Sequence, residues 1–183
     1  ETNLGNLITD AMLYETGAQI AFTNGGGIRA SIEIGDITVG DVITVLPFGN
    51  YVVTKELTGA QIVSALELGM DTYPAEKGSF PHIAGMKVVF DPAKAAGERV
   101  VYVTVGGEAI VLDKLYTVAT NDFISAGGDG YTMFKEATLI GEYLGLDEVL
   151  IDYIHVFGAE DSVVEGRITK VDEVSYLYLR MVA

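Results

Sequence analysis

The segment AQIAFTNGGGIRAS, residues 18–31, runs from a short apolar stretch into three consecutive glycines and on to Arg29. Residues 18–23 are mostly apolar, which indicates a buried strand. Three glycines in a row lose a large conformational entropy on folding, but they let the backbone approach a ligand closely and expose its N–H groups. The segment is equally compatible with a tight turn that carries a surface arginine, so its role depends on what surrounds it.

Helical and strand patterns alternate around this segment. Apolar residues at helical spacing predict a helix over residues 4–16, with Gly17 at its C-cap. Residues 39–48 predict a short helical turn, and the β-branched residues of 50–58 predict a strand. A capping-box pattern at Thr58 then predicts a helix, whose apolar face carries Ile62, Ala65, Leu66 and Gly69.

After Pro74 the pattern changes to strands joined by turns that contain Gly or Asp. These strands are expected at residues 85–91, 99–105, 108–111 and 116–122. An amphipathic helix follows at 147–158, and residues 166–173 predict a last edge strand. The fold class is therefore α+β, a single domain of mixed β-sheet and packed helices over residues 1–173. Residues 174–183 form an apolar tail whose role the sequence leaves undecided.

The composition excludes several classes of partner and chemistry. The chain has 11 Lys and Arg against 26 Asp and Glu, a formal net charge of −15. This balance argues against a nucleic acid polymer as partner, because phosphate backbones are bound by Lys and Arg. The absence of cysteine excludes disulfides and thiol nucleophiles. No apolar run is long enough for a membrane-spanning helix, and the start at Glu1, without Met, suggests one part of a longer protein.

The sequence offers no candidate reaction centre. His82 and His155 are far apart and neither has a metal-binding spacing, and we expect His155 to be structural on its apolar helix. No serine lies in a G-x-S-x-G elbow. The motif GGDG at 127–130 lacks the acid spacing of a calcium loop. We therefore predict no catalytic residue, no metal ligand and no cofactor site in this chain.

A binding site is better supported, because two aromatic side chains lie in loops. LPFGN places Phe48 in a turn, and NDFISAGGDGY places Phe123 at the end of a strand, before a glycine-rich loop that holds Asp129. Two rings can stack on the faces of a planar base. A carboxylate can accept hydrogen bonds from two ribose hydroxyls. Together with Asn24 and Arg29, these residues suit a planar, hydroxylated ligand.

These stretches together resemble the C-terminal domain of the secreted 5′-nucleotidase family. That family includes 5′-nucleotidases, UDP-sugar hydrolases and 2′,3′-cyclic-nucleotide phosphodiesterases. The motifs that carry the resemblance occur in the family's order over residues 1–136. They are ETNLGNLITDAM, TNGGGIRASI, GDITVGDVITVLPFGN, LTGAQIVSALE and YTVATNDFISAGGDGYTMF.

The resemblance implies a division of labour between two domains. An N-terminal metallophosphoesterase domain would hold two divalent ions, such as Zn or Mn, and this chain would bind the nucleotide and bring it to them by a hinge rotation. The chain by itself is then expected to be inactive, and the protein to be extracellular, periplasmic or associated with the cell wall. Carried over by motif, the substrate-binding residues are Asn24, Arg29, Phe48, Asn50, Gly78, Phe123 and Asp129.

Two departures from the family pattern limit this transfer. Members usually carry an arginine just before the motif that opens here at Glu1, and that residue is absent from the chain. His82 stands where many members have glutamine, which leaves the preferred base open. The alternative function is a stand-alone nucleoside-binding module at the cell surface, without catalysis.

Overall fold

The computed structural model of the chain describes residues 1–171. Its helices are α1 (Asn3–Thr16), α2 (Val39–Val45), α3 (Gly59–Met70), α4 (Asp122–Ser125), α5 (Thr132–Glu136) and α6 (Leu146–Phe157). Its strands are β1 (Ile20–Asn24), β2 (Tyr51–Thr58), β3 (Pro81–Ala84), β4 (Met86–Phe90), β5 (Val100–Val105), β6 (Glu108–Ala109), β7 (Leu115–Asn121), β8 (Thr138–Gly145) and β9 (Ile168–Lys170). Two 3₁₀ turns cover Gly25–Gly27 and Gly128–Gly130. The predicted tail at 174–183 and the end of the predicted domain, residues 172–173, lie outside the described residues.

The strands form two mixed sheets, where the sequence indicated one. The five-stranded sheet has the order β3-β1-β7-β2-β8, in which β1 and β7 are parallel and the other neighbours antiparallel. The four-stranded sheet has the order β6-β5-β4-β9. The chain passes between the sheets at Gly85, where φ is +73° and an added Cβ would collide with the carbonyl oxygen of Gln19. Glycine is therefore required at this bend.

The inner strand β1 of the five-stranded sheet is buried on both faces. Along β1, Ile20 and Phe22 belong to one apolar cluster and Ala21 belongs to the other. The first cluster includes side chains of α3, α5 and the four-stranded sheet, and the second includes side chains of α1, α2 and α6. This two-sided burial explains why the sequence of β1 is almost wholly apolar.

The helix boundaries with strong sequence signals are confirmed. Thr2 caps α1 by accepting from the N–H of Gly5 at 3.0 Å, and α1 ends at Gly17 with φ of 63°. At α3, Thr58 and Gln61 form the predicted reciprocal capping box. The predicted edge strand is also present as β9, but it is only three residues long. His155, expected to be structural, is exposed in the last turn of α6.

Four elements escaped prediction: β3, β8, α4 and α5. β3 begins with a proline, and β8 contains two glycines and lies exposed at the sheet edge, so neither shows a clear alternating pattern. α4 and α5 have four and five residues, too few for a helical period to appear. None of the helices in residues 1–171 has the length and apolar character needed to cross a bilayer.

Candidate functional site

The triple glycine forms a 3₁₀ turn directly after β1, and its backbone packs against another segment of the chain. The N–H groups of Gly25 and Gly26 donate to the carbonyls of Phe80 and Gly78, at 2.7 and 2.8 Å. A Cβ added to Gly26 would lie 3.0 Å from the Cα of Gly78. The glycines are therefore needed for a close contact between two backbone segments. The expectation that these N–H groups are exposed to a ligand is wrong for Gly25 and Gly26.

Asn24, the last residue of β1, holds the carboxylate of Asp129. Its Nδ2 donates to Oδ2 of Asp129 at 2.7 Å, and its Oδ1 accepts from Nδ2 of Asn121 at 3.3 Å. Gly78 lies beside this pair, since a Cβ added there would be 3.8 Å from Oδ2 of Asp129. Asn24 and Asn121 are buried, whereas Asp129 is exposed. The structure thus joins three of the predicted residues, Asn24, Gly78 and Asp129, although the sequence separates them widely.

The loop around Asp129 has an unusual backbone. Asp129 has φ of 54° and ψ of 16°, a left-handed conformation that non-glycine residues seldom adopt and that Asp and Asn tolerate best. Gly127 and Gly130 on either side also have positive φ. A Cβ added to Gly128 would lie 2.5 Å from the ring of Phe123, so this glycine packs directly on that ring. The loop therefore fixes Asp129 and Phe123 relative to one another.

Arg29, which follows the triple glycine in sequence, contacts the ring of Phe48. The guanidinium carbon of Arg29 lies 5.9 Å from the centroid of the Phe48 ring, a cation–π distance. The same guanidinium donates to the carbonyl of Gly26 at 3.2 Å. Nδ2 of Asn50 donates to Oδ1 of Asp122 at 2.6 Å. Because Asp122 precedes Phe123, this bond ties the loop of Phe48 to the loop of Phe123.

Both predicted stacking rings are open to solvent. Phe48 is 61% exposed and Phe123 is 45% exposed. The aromatic pairs found among residues 1–171 do not include these two rings with each other. Neither ring is thus fully packed in the core, and a planar group can reach either one without displacing another aromatic side chain.

Two concave regions border these residues. A recess of about 10 Å³ is lined by Phe48, Asn50 and Asn121, among others. It has room for about one water molecule, so a larger ligand would lie outside it, against the exposed rings. A cleft of about 980 Å³ includes Arg29, but its lining contains none of the other predicted site residues, neither the two phenylalanines nor Asp129. The predicted residues therefore line an open surface, and the large cleft is a neighbouring feature.

His82 lies in the wall of that large cleft. Its side chain is buried against α1, where a Cβ added to Gly5 would collide with the imidazole ring. Burial lowers the pKa of His82 to about 4, so the imidazole is neutral at pH 7. It packs beneath the triple glycine, since Nε2 is 3.6 Å from a Cβ added to Gly25. His82 therefore supports the glycine turn.

Sequence reasoning missed two buried polar residues next to the predicted site. Asn121 caps α4 by accepting from the N–H of Ile124 at 2.8 Å, and it also donates to Asn24. Its signal was the motif NDF after a strand, which is typical of an N-cap. Lys55 is buried in the middle of β2 and reaches the carbonyl of Phe134. The sequence signal for Lys55 was its position on β2, where the residues two positions away on either side, Val53 and Leu57, are apolar.

Comparison with known proteins identifies the fold and the family. Residues 1–136 match the family model described as 5′-nucleotidase, C-terminal domain. The crystal structure of a 5′-nucleotidase precursor from Thermus thermophilus superposes with a TM-score of 0.90 at 44% identity, over 94% of this chain and 36% of that one. The fold and the order of motifs define a domain of the nucleotidase class. The chain belongs to the 5′-nucleotidase C-terminal domain family.

Two relatives extend this result. The chain is 46% identical to the trifunctional nucleotide phosphoesterase protein YfkN of Bacillus subtilis, over 93% of the chain and 12% of the relative. It is 38% identical to protein UshA of Escherichia coli, over 72% of the chain and 23% of the relative. The chain thus corresponds to well under half the length of each of these proteins.

Proposed function

We propose that residues 1–173 are the nucleoside-recognition domain of a nucleotide phosphohydrolase. The observation that carries the proposal is the convergence of three distant stretches, 22–31, 46–50 and 121–131, on one surface. There Asn24 holds the carboxylate of Asp129 at 2.7 Å, and Asn50 joins the loops of the two exposed phenylalanines. The names of relatives, a nucleotide phosphoesterase and 5′-nucleotidases, support the ligand class.

In the proposed complex each group has a separate role. Phe48 and Phe123 stack on the two faces of the base, which is favourable for any base because each has a π-face. Asp129 accepts the ribose hydroxyls through the carboxylate that Asn24 orients. Arg29 supplies a positive charge beside the Phe48 ring. Asn50 and Gly78 line the base edge, and Asn24 acts on the ligand through the carboxylate of Asp129 that it holds.

Binding here would serve catalysis in another domain. Holding the nucleoside places the phosphate at a reaction centre, so binding energy from a remote part of the substrate is used for positioning. Residues 1–171 contain no group of three His, Asp or Glu side chains arranged to hold a metal ion. As the resemblance to the family implies, the two divalent ions, Zn or Mn, are assigned to an N-terminal metallophosphoesterase domain of the same polypeptide. The short share of each relative that the chain covers is consistent with that partner domain.

The proposed location is outside the cytoplasm, in the extracellular space, the periplasm or the cell wall. A relative in Listeria monocytogenes that is 36% identical over 91% of this chain bears the name cell wall protein Lmo0130. The composition agrees with a soluble ligand and not with a polymer, because the net charge of −15 repels nucleic acid.

We expect residues 1–183 to bind adenosine and to leave AMP intact. Titration of adenosine, followed by NMR, should shift the ring signals of Phe48 and Phe123 and saturate, whereas ribose 5-phosphate, which has no base, should not move them. AMP incubated with the protein and Zn²⁺ or Mn²⁺ should release no phosphate, since the assigned ions belong to another domain. A folded protein whose ring signals stay fixed at millimolar adenosine would contradict the binding role. Phosphate release at an enzymatic rate would contradict the assignment of catalysis elsewhere.

The ribose contact is tested by Asp129→Asn. Asparagine keeps the shape and tolerates the left-handed backbone of this position, but it removes the charge. A hydrogen bond to a charged group contributes about 1.5–3 kcal/mol, so the preference for adenosine over 2′-deoxyadenosine should shrink by a sizeable part of that amount. Calorimetric titration of both ligands into both proteins gives this ratio. An unchanged ratio in Asp129→Asn would show that the carboxylate does not contact the ribose.

A further inference from the structure

Lys55 occupies an apolar position in the middle of β2. It is 6% exposed, and its cross-strand neighbours are Val118 of β7 and Leu139 of β8. The residues two positions away on the same strand, Val53 and Leu57, are both buried. Lysine is seldom buried unless it is paired with a carboxylate. Within residues 1–171, the ion pairs do not involve Lys55, so neither packing nor charge pairing accounts for a lysine here.

The ammonium group of Lys55 is held by backbone carbonyls. Nζ donates to the carbonyl oxygens of Phe134 at 2.7 Å, Ser125 at 3.2 Å and Ala137 at 3.2 Å. An ammonium has three N–H donors, so its full capacity is used. Burial lowers the pKa of Lys55, and the three carbonyl dipoles compensate for that burial in place of a counter-ion.

The three carbonyls belong to the segment that forms the proposed nucleoside site. Ser125 is the last residue of α4, which carries Phe123, whereas Phe134 lies in α5 and Ala137 follows it. Asp129 lies between these points. One cation therefore joins the two ends of the loop and fastens both to β2, an inner strand of the five-stranded sheet. Removal of the ammonium would leave carbonyls without a donor at both ends.

We propose that Lys55 is a positioning residue of the nucleoside site, a built-in cation in a cage of three carbonyls that fixes the loop of Phe123 and Asp129. The ligand part of this inference rests on the proposed function, whereas the anchoring of the loop does not. In this scheme Lys55 does not contact the ligand and acts only through the loop. A further consequence is that the cage accepts a small alkylammonium ion when the lysine side chain is shortened.

The first test compares Lys55→Met with Lys87→Met. Methionine keeps the length of the side chain and removes the charge, and Lys87 is an exposed lysine on β4 that serves as the matched control. We expect Lys55→Met to bind adenosine about tenfold or more weakly, because buried carbonyls lose their donors. Amide hydrogen exchange should speed up within residues 122–137 more than in α1 or α3. Lys87→Met should change neither quantity.

The second test is chemical rescue, which shows whether the ammonium group itself fixes the loop. Lys55→Ala lacks the atoms of n-propylammonium, so added n-propylammonium should restore slow exchange in residues 122–137 and adenosine affinity in a saturable manner. 1-Propanol, of similar size but neutral, should not. If Lys55→Met does not fold, Lys55→Gln keeps two N–H donors and should fall between wild type and Lys55→Ala in both measurements.

The outcomes separate this inference from the proposed function. Wild-type protein that does not bind adenosine contradicts the proposed function, and the exchange data still decide whether Lys55 anchors the loop. Wild-type protein that binds, together with Lys55→Met of equal affinity, overturns the positioning role. Uniform acceleration of exchange across the protein, without rescue by n-propylammonium, overturns the carbonyl cage.

Discussion

Phe22→Ala is expected to lower the free energy of unfolding by about 3–5 kcal/mol, the cost of removing a fully buried phenylalanine from a core. Phe22 is 1% exposed in the middle of β1. Its ring meets Tyr131 edge-on at 5.2 Å between centroids and lies 5.3 Å from the ring of Phe134. The substitution removes both contacts and leaves a cavity that these large neighbours cannot fill without moving. Denaturant unfolding, monitored by circular dichroism, measures the effect.

The matched control is Phe123→Ala, the same change at a ring that is 45% exposed. A surface substitution of this kind changes stability by about 0.5 kcal/mol or less. Phe22→Ala should therefore lower stability strongly, whereas Phe123→Ala should lower nucleoside affinity and leave stability nearly unchanged. A loss below about 1 kcal/mol in Phe22→Ala would contradict the assignment of Phe22 to the core.

Phe22 also connects the fold to the proposed site. It lies two residues before Asn24, and its partners Tyr131 and Phe134 follow Asp129 in the chain. The hydroxyl of Tyr131 donates to the carbonyl of Ser79, next to Gly78. The rings of Phe22, Tyr131 and Phe134 thus pack beneath the segments of Asn24, Gly78 and Asp129. Loss of Phe22 should loosen these segments together, and adenosine affinity should fall with stability in this variant.

The fold was predictable where local signals were complete. α1 and α3 each combine an apolar face with a capping residue, so their positions followed from the sequence. The division into two sheets could not be predicted from the sequence. It depends on the positive φ of Gly85 and on its contact with Gln19, and neither produces a periodic pattern of apolar residues. The short helices α4 and α5 are fixed by tertiary contacts such as that of Lys55. Apart from the N-cap motif NDF before α4, their own sequences carry little signal.

The site residues were nominated from motifs, and the structure changes how they are understood. The triple glycine was expected to offer N–H groups to a ligand, but Gly25 and Gly26 use theirs on Phe80 and Gly78. Its function is to allow the close approach that brings Gly78 to Asp129. Contacts between residues about a hundred positions apart, such as Asn24 with Asp129, could not be derived from spacing. The resemblance to a family supplied the residues as a set but not these contacts, and the roles of the residues in binding stay a prediction.

The double variant Phe48→Ala/Phe123→Ala is expected to lose most of the nucleoside affinity. Stacking of a base on an aromatic ring contributes about 1–3 kcal/mol, so the loss of both rings should cost roughly 2–6 kcal/mol if they cover opposite faces of one base. Each single variant should lose about 1–3 kcal/mol. Unfolding should change little in all three, because both rings are exposed and have no aromatic partner in the core. Competition against a labelled adenosine analogue extends the measurable range to weak binding.

Comparison of wild type, the two single variants and the double variant distinguishes stacking on both faces of the base from stacking on one face. Two rings on opposite faces each lower affinity, and the double variant falls below both single variants. If only one ring contacts the base, the double variant matches that single variant and the other ring is wrongly assigned. Tyr102→Ala, an aromatic side chain on β5 that is also 45% exposed, controls for the removal of surface aromatic area and should bind adenosine like wild type. Affinity equal to wild type in the double variant would refute stacking by Phe48 and Phe123 altogether.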